Sequence, residues 1–99
     1  MVTLINRFTV HGDTDEFERV FATSSVFMCS QPGFASHRLV RSLRNPKVYV
    51  NVAEWQSVAQ HQAAVARPGF ADHMKELAAL AAVDPDLYTP VLERAAADA

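Results

Sequence analysis

The stretch Val48-Tyr49-Val50-Asn51-Val52-Ala53-Glu54-Trp55, followed by Gln56-Ser57, decides the fold. β-Branched and aromatic residues dominate it, the composition of a largely buried β-strand. Side chains alternate across a strand with a period of two, so Tyr49, Asn51, Ala53 and Trp55 share one face. Val48, Val50, Val52 and Glu54 share the other. The second face is nearly all aliphatic and suits packing. The first sets a carboxamide and an indole N–H two periods apart among apolar neighbours. Buried amides and indoles need hydrogen-bond partners. Asn51 and Trp55 are therefore either satisfied inside the fold or turned toward something that enters it.

Upstream, Phe34 to Leu43 reads as a strand and Arg44-Asn45-Pro46 as a turn, which makes a hairpin with the strand Lys47 to Trp55. Val2 to Val10 is another strand, with Val2, Leu4, Asn6, Phe8 and Val10 on one face. Asp13, with Glu16 three residues on, resembles a capping box. Phe17, Val20, Phe21 and Ser24 then recur at helical spacing, which predicts a helix from about Thr14 to about Ser30. Gln31-Pro32-Gly33 stops it. Downstream, Ser57 is the expected N-cap of a second helix carrying His61, Ala64 and Val65. Arg67-Pro68-Gly69 interrupts that helix, and a stripe of Phe70, Met74 and Leu77 carries it on to about Ala82. Pro85 is read as its stop, and Leu87 to Leu92 as a short terminal strand in which Pro90 marks an edge or a bulge. Residues 93–99 form an Ala-rich tail after a core of about 2–92. The order β-α-β-β-α-β is the split arrangement of the α+β, ferredoxin-like class, in one domain. Helices on one side of an antiparallel sheet leave the other side bare, with Ile5, Val48, Val50 and Val52 on it. Such a face is an interaction surface, and a homodimer packed sheet to sheet is the expected way to cover it.

Composition narrows the function. The 99 residues are 49% hydrophobic and carry a net charge of −2, so no basic field is present to attract nucleic acid or an anionic membrane. No apolar run has the length of a membrane helix, and no signal peptide is expected. The one cysteine, Cys29, excludes an internal disulfide framework and favours the reducing cytoplasm. The four histidines have no metal-ligand spacing, so no metal site is expected. The three glycines form no phosphate-binding loop.

Val50-Asn51-Val52-Ala53-Glu54-Trp55-Gln56-Ser57 resembles the third-strand signature of the antibiotic biosynthesis monooxygenase family, Asn-x-x-x-Trp with a polar helix start behind it. Asn6-Arg7-Phe8, Gln31-Pro32-Gly33-Phe34 and Pro68-Gly69-Phe70 support it, and the likeness runs from about Val2 to about Val91. The Asn-x-x-x-Trp pair is similar to that of the small quinone-forming monooxygenases of aromatic polyketide pathways. The resemblance implies a dimeric α+β barrel with a pocket between sheet and helices. It also implies oxygenation of a phenolic or anthrone-type polycyclic substrate by dioxygen, without flavin, haem or metal. The chain departs from that pattern at His61, where the polyketide enzymes carry a tyrosine six residues after the tryptophan. A basic residue further along their second helix corresponds here to His73 or Lys75.

Such chemistry asks for a dry pocket, donors for a developing oxyanion, and a base. Asn51 and Trp55 are donors of the right kind. His61 is the expected base or proton shuttle, with His73 and Lys75 as alternatives. Phe8, Phe17, Phe21, Phe70 and Met74 are the expected apolar walls. Asn6 and Tyr49 share faces with the pocket groups and, with His73, are expected to contact substrate. A second reading is haem binding or degradation, since haem-degrading relatives of the fold use a first-strand asparagine and a second-helix histidine, comparable to Asn6 and His73. A third is a non-catalytic ligand-binding or cyclase-like subunit. His11 is expected in a solvated turn, His37 in sheet packing or an interface, and Arg41 within reach of the pocket mouth.

Overall fold

The computed structural model describes residues 1–97. Strand β1 (Val2–Val10) leads through a Gly12 turn to helix α1 (Thr14–Cys29). The hairpin β2 (Phe34–Arg41) and β3 (Val48–Trp55) follows, then α2 (Val58–Val65), α3 (Pro68–Leu80) and β4 (Ala81–Tyr88). The four strands form one antiparallel sheet in the order β2-β3-β1-β4. This is the ferredoxin-like arrangement, with the second helix broken into two.

Local chemistry accounts for most boundaries. Asp13 Oδ1 accepts the Asp15 N–H at 2.9 Å and caps α1, while Glu16 pairs with Arg19 instead of closing a capping box. Ser57 Oγ accepts the Gln60 N–H at 3.1 Å and caps α2. Pro68 opens α3 from its first turn, where a missing N–H costs nothing. Gly33 turns the chain from α1 into β2 at φ +87°. A Cβ there would lie 2.5 Å from Gln60 Cβ, so both the backbone conformation and the approach of α2 require glycine.

The last strand departs from expectation. It spans Ala81–Tyr88, not Leu87 to Leu92, and Pro85 lies inside it instead of ending a helix. β4 is a sheet edge, where a proline is tolerated. Pro85 stands opposite Asn6, and Asn6 Oδ1 accepts the neighbouring Asp84 N–H at 3.2 Å. β2 is also shorter than predicted, ending at Arg41.

The register puts Val2, Leu4, Asn6, Phe8 and Val10 on the same side as Tyr49, Asn51, Ala53 and Trp55. His37 and Leu39 join them from β2, and Val83, Pro85 and Leu87 from β4. The core on this side has two parts. Around Phe8, Phe17, Phe21, Tyr49 and Leu77 an aromatic cluster fills one end. Val2, Ala53, Trp55 and Ala64 fill the other. The opposite side of the sheet carries Ile5, Val50 and Val52 half-buried and Val40 exposed; Val48 is already buried in the single chain.

Candidate active site

Between the two parts of the core lies a cavity of about 260 Å³. Phe8, Phe21, Met28, Phe70, Met74 and Leu77 supply most of its apolar wall. Asn6, Ser24, Ser25, His37, Asn51, Trp55, His61 and His73 supply the polar groups. Among the described residues no carboxylate and no lysine or arginine lines it.

Trp55 is fully buried at the end of β3, with the rings of Phe34 and His61 edge-on to it at 5.3 and 5.2 Å. Among the described residues its Nε1–H has no hydrogen-bond partner. An unpaired buried donor costs about 1–3 kcal/mol, which fits a group kept for a guest. Asn51, two periods earlier on the same strand, accepts through Oδ1 from His37 Nδ1 at 3.0 Å. Among the described residues its Nδ2 makes no hydrogen bond. The Asn51 amide thus has an unpartnered Nδ2 beside the apolar hollow, and the indole lies buried in the wall of the same hollow.

His61 sits one turn into α2, and its Nδ1 is buried without a hydrogen-bond partner among the described residues. Burial pushes its pKa below the ordinary 6.5, so the ring is neutral and free to take a proton at neutral pH. The depressed value has a consequence for stability. Between the folded and unfolded pKa the unfolded chain binds more protons, so stability is full above pH 6.5 and declines as pH falls below it. His61→Gln is expected to flatten that part of the stability profile, measured by urea unfolding across the pH range.

His73, on α3, lines the cavity with its ring against Phe27 at 5.2 Å. Its Nδ1 lies 3.4 Å from Ser24 Oγ, whose own hydrogen goes to the Val20 carbonyl. Lys75 is exposed and outside the cavity wall.

The expected residues divide cleanly. Asn51, Trp55, His61, Asn6, Phe8, Phe21, Phe70, His73 and Met74 are brought together around the cavity. Tyr49 is not. It lies under α1, its ring 4.9 Å from that of Phe17 and its hydroxyl donating to Glu18 at 2.5 Å. Desolvation and the adjoining Glu18 carboxylate push the Tyr49 pKa up. Phe17 packs in the same cluster and does not reach the cavity. Arg41 is also drawn there: its guanidinium sits 5.3 Å from the Tyr49 ring centre and donates to the Pro46 carbonyl, away from the cavity. His37 was expected in sheet packing or an interface and instead lines the cavity, as do Ser24 and Ser25. The signal for His37 was its place in the hairpin register, opposite Ala53 on the inward face.

The groups suggested for haem are arranged differently. The Asn6 carbonyl oxygen is committed to β4 and His73 is tied to Ser24. Among the described residues no group of three or more His, Cys, Asp or Glu side chains could hold a metal ion.

Four likenesses bear on this geometry. The family model "Antibiotic biosynthesis monooxygenase" matches residues 1–76. Deoxynogalonate monooxygenase of Streptomyces nogalater is 44% identical over 88 residues, 89% of this chain and 75% of that protein. The crystal structure of SnoaB, a cofactor-independent oxygenase from Streptomyces nogalater, superposes with a TM-score of 0.89 at 42% identity, covering 93% of this chain and 94% of SnoaB. An asparagine-to-alanine variant of SnoaB superposes with a TM-score of 0.90 at 41% identity over the same shares of the two chains.

Proposed function

The chain belongs to the antibiotic biosynthesis monooxygenase family, and we propose that it oxygenates a polycyclic aromatic polyketide of the anthrone or phenol type. It is an enzyme, a monooxygenase that works without a bound cofactor. The observation that carries the substrate reading is the pairing of Trp55 Nε1–H and Asn51 Nδ2, both without partners among the described residues, in the wall of one apolar cavity.

Dioxygen is a triplet, and its direct combination with a singlet organic molecule is spin-forbidden. An anthrone evades this after losing a proton, because its anion can pass one electron to dioxygen. The resulting radical pair joins to a hydroperoxide, which eliminates water and leaves a carbonyl. The balance is one methylene and one dioxygen in, one quinone carbonyl and one water out. The protein has three tasks in this sequence. His61, neutral and half-buried, accepts the methylene proton. Asn51 and Trp55 donate to the anthrone oxygen as it gains charge. The walls from Phe8, Phe21, Phe70 and Met74 exclude water, which strengthens both donors. Among the described residues the wall has no carboxylate, and so no fixed negative charge to oppose the substrate anion.

Oxygen uptake with a hydroxylated anthrone tests this on metal-free, flavin-free protein. One dioxygen is expected per quinone formed, with no peroxide released. A protein that binds the anthrone but consumes no dioxygen would instead be a non-catalytic ligand-binding subunit.

The same reading includes a homodimer in the cytoplasm, with two sheets packed through Ile5, Val40, Val50 and Val52. These residues support it by leaving an apolar strip across three strands of the bare side. Sedimentation equilibrium at micromolar concentration should read twice the protomer mass of 10.9 kDa. Val50→Glu should move the mass to one protomer. No helix of the described residues is long and apolar enough to cross a membrane.

A further inference from the structure

We propose that His37 is the positioning residue of Asn51: its imidazole, anchored on Ser25, fixes which edge of the Asn51 amide faces the cavity. The inference rests on the oxygenation reading, since it explains how that reading's donor is aimed.

The terminal torsion of an asparagine is soft, and its amide can present either an acceptor or donors to a cavity. Something must choose. Here Asn51 Oδ1 lies 3.0 Å from His37 Nδ1. A carbonyl oxygen only accepts, so Nδ1 carries the proton. The other nitrogen, Nε2, lies in hydrogen-bond contact with Ser25 Oγ at 2.7 Å. One imidazole thus uses both nitrogens, one toward Asn51 and one toward Ser25. With Oδ1 held, the two Nδ2 hydrogens are left for the cavity.

The ring itself has little freedom. Phe34 packs edge-on to it at 5.7 Å and Phe21 lies tilted at 5.9 Å. Ser25 comes from α1, His37 from β2 and Asn51 from β3, so the amide is set by three elements meeting at one point. The β2–β3 register makes the contact possible: His37 stands opposite Ala53 and Leu39 opposite Asn51, which places imidazole and amide on one diagonal of one face.

A double-mutant cycle on His37 and Asn51 tests the proposal by anthrone-dependent oxygen uptake. His37→Ala should lower kcat roughly tenfold with KM little changed. In the Asn51→Ala background the same substitution should have no further effect, because the group it aims is gone. His37→Gln, whose amide N–H can donate to Oδ1, should recover part of the loss. Ser25→Ala, which removes only one hydroxyl from the half-buried cavity wall, should give a smaller loss in the same direction and guards against a misfolded His37 variant. Losses that multiply in the double variant, or a His37→Ala enzyme with wild-type kcat, would overturn it. If the wild-type protein takes up no dioxygen, the oxygenation reading fails by itself. The cycle is then read on anaerobic anthrone binding, followed by the fluorescence of Trp55, the single tryptophan and a cavity residue. Coupled losses of affinity sustain the positioning role, and independent losses end it.

Discussion

Asn51→Ala is expected to lower kcat for anthrone oxygenation by roughly a hundredfold, the usual scale for loss of one aligned donor to a developing oxyanion. Asn51→Asp should lose at least as much. Aspartate keeps the shape and can still accept from His37 Nδ1–H. It replaces the two Nδ2 hydrogens with a negatively charged oxygen aimed at a substrate that is becoming an anion. The pair of substitutions therefore separates two roles for the side chain. Equal or greater loss in Asp means that Asn51 acts as a donor. An active Asp variant would mean that it acts as an acceptor, and the mechanism given above would fail. KM should change less than kcat, because the donor meets its full charge only in the transition state. Stability should fall only modestly in the Ala variant, by the cost of one lost hydrogen bond and an unpaired His37 N–H, about 1–3 kcal/mol. Steady-state oxygen uptake and urea unfolding read the two effects apart.

Phe17→Ala is expected to have the largest effect on stability, about 3–5 kcal/mol. Phe17 is fully buried in α1, with ring centres of Phe8 at 5.2 Å, Tyr49 at 4.9 Å and Phe21 at 6.1 Å. Removing it leaves a hole that three other rings border. A domain of this size holds on the order of 5–15 kcal/mol in total, so the loss takes a large share. Each kcal/mol moves the melting temperature of a domain this small by about 4–8 °C. Phe17 does not line the cavity, so substrate affinity of the folded variant should be near that of the wild type. Urea unfolding at fixed protein concentration measures the loss. A loss under about 1 kcal/mol would mean that Phe8, Phe21 and Tyr49 close over the hole.

The parts of the fold that were legible in the sequence are those governed by local rules. β1, α1 and β3 follow from hydrophobic period. Asp13, Ser57 and Gly33 mark ends through their own hydrogen bonds or backbone conformation. β4 was misread because nothing local makes Ala81-Ala82-Val83-Asp84-Pro85 a strand. It is a strand because β1 offers a free edge, and a pairing some 75 residues distant in sequence overrides weak local preference.

The site divides along the same line. Alternation told which face Asn51, Trp55 and Asn6 occupy, and that face proved to be the cavity side. Alternation does not tell depth along the strand. Tyr49 shares the face of Asn51 but lies at the end covered by α1, where Phe17 and Glu18 take up its ring and hydroxyl. His37 was missed for a related reason: its neighbours Leu39 and Arg41 suggested packing, and only the pairing of β2 with β3 brings it within reach of Asn51.

The greasy lining of the hollow bears also on how the second reactant arrives. Dioxygen is a non-polar gas with no strong hydrogen bonds to give up on leaving water. It therefore dissolves readily among Phe8, Phe21, Phe70 and Met74 without a dedicated subsite. Its local concentration is then set by solubility in hydrocarbon, and the walls that keep water out store the oxidant. Xenon, another gas of this kind, enters dry protein hollows for the same reason. Under pressure it should collect beside these residues and compete with oxygen uptake.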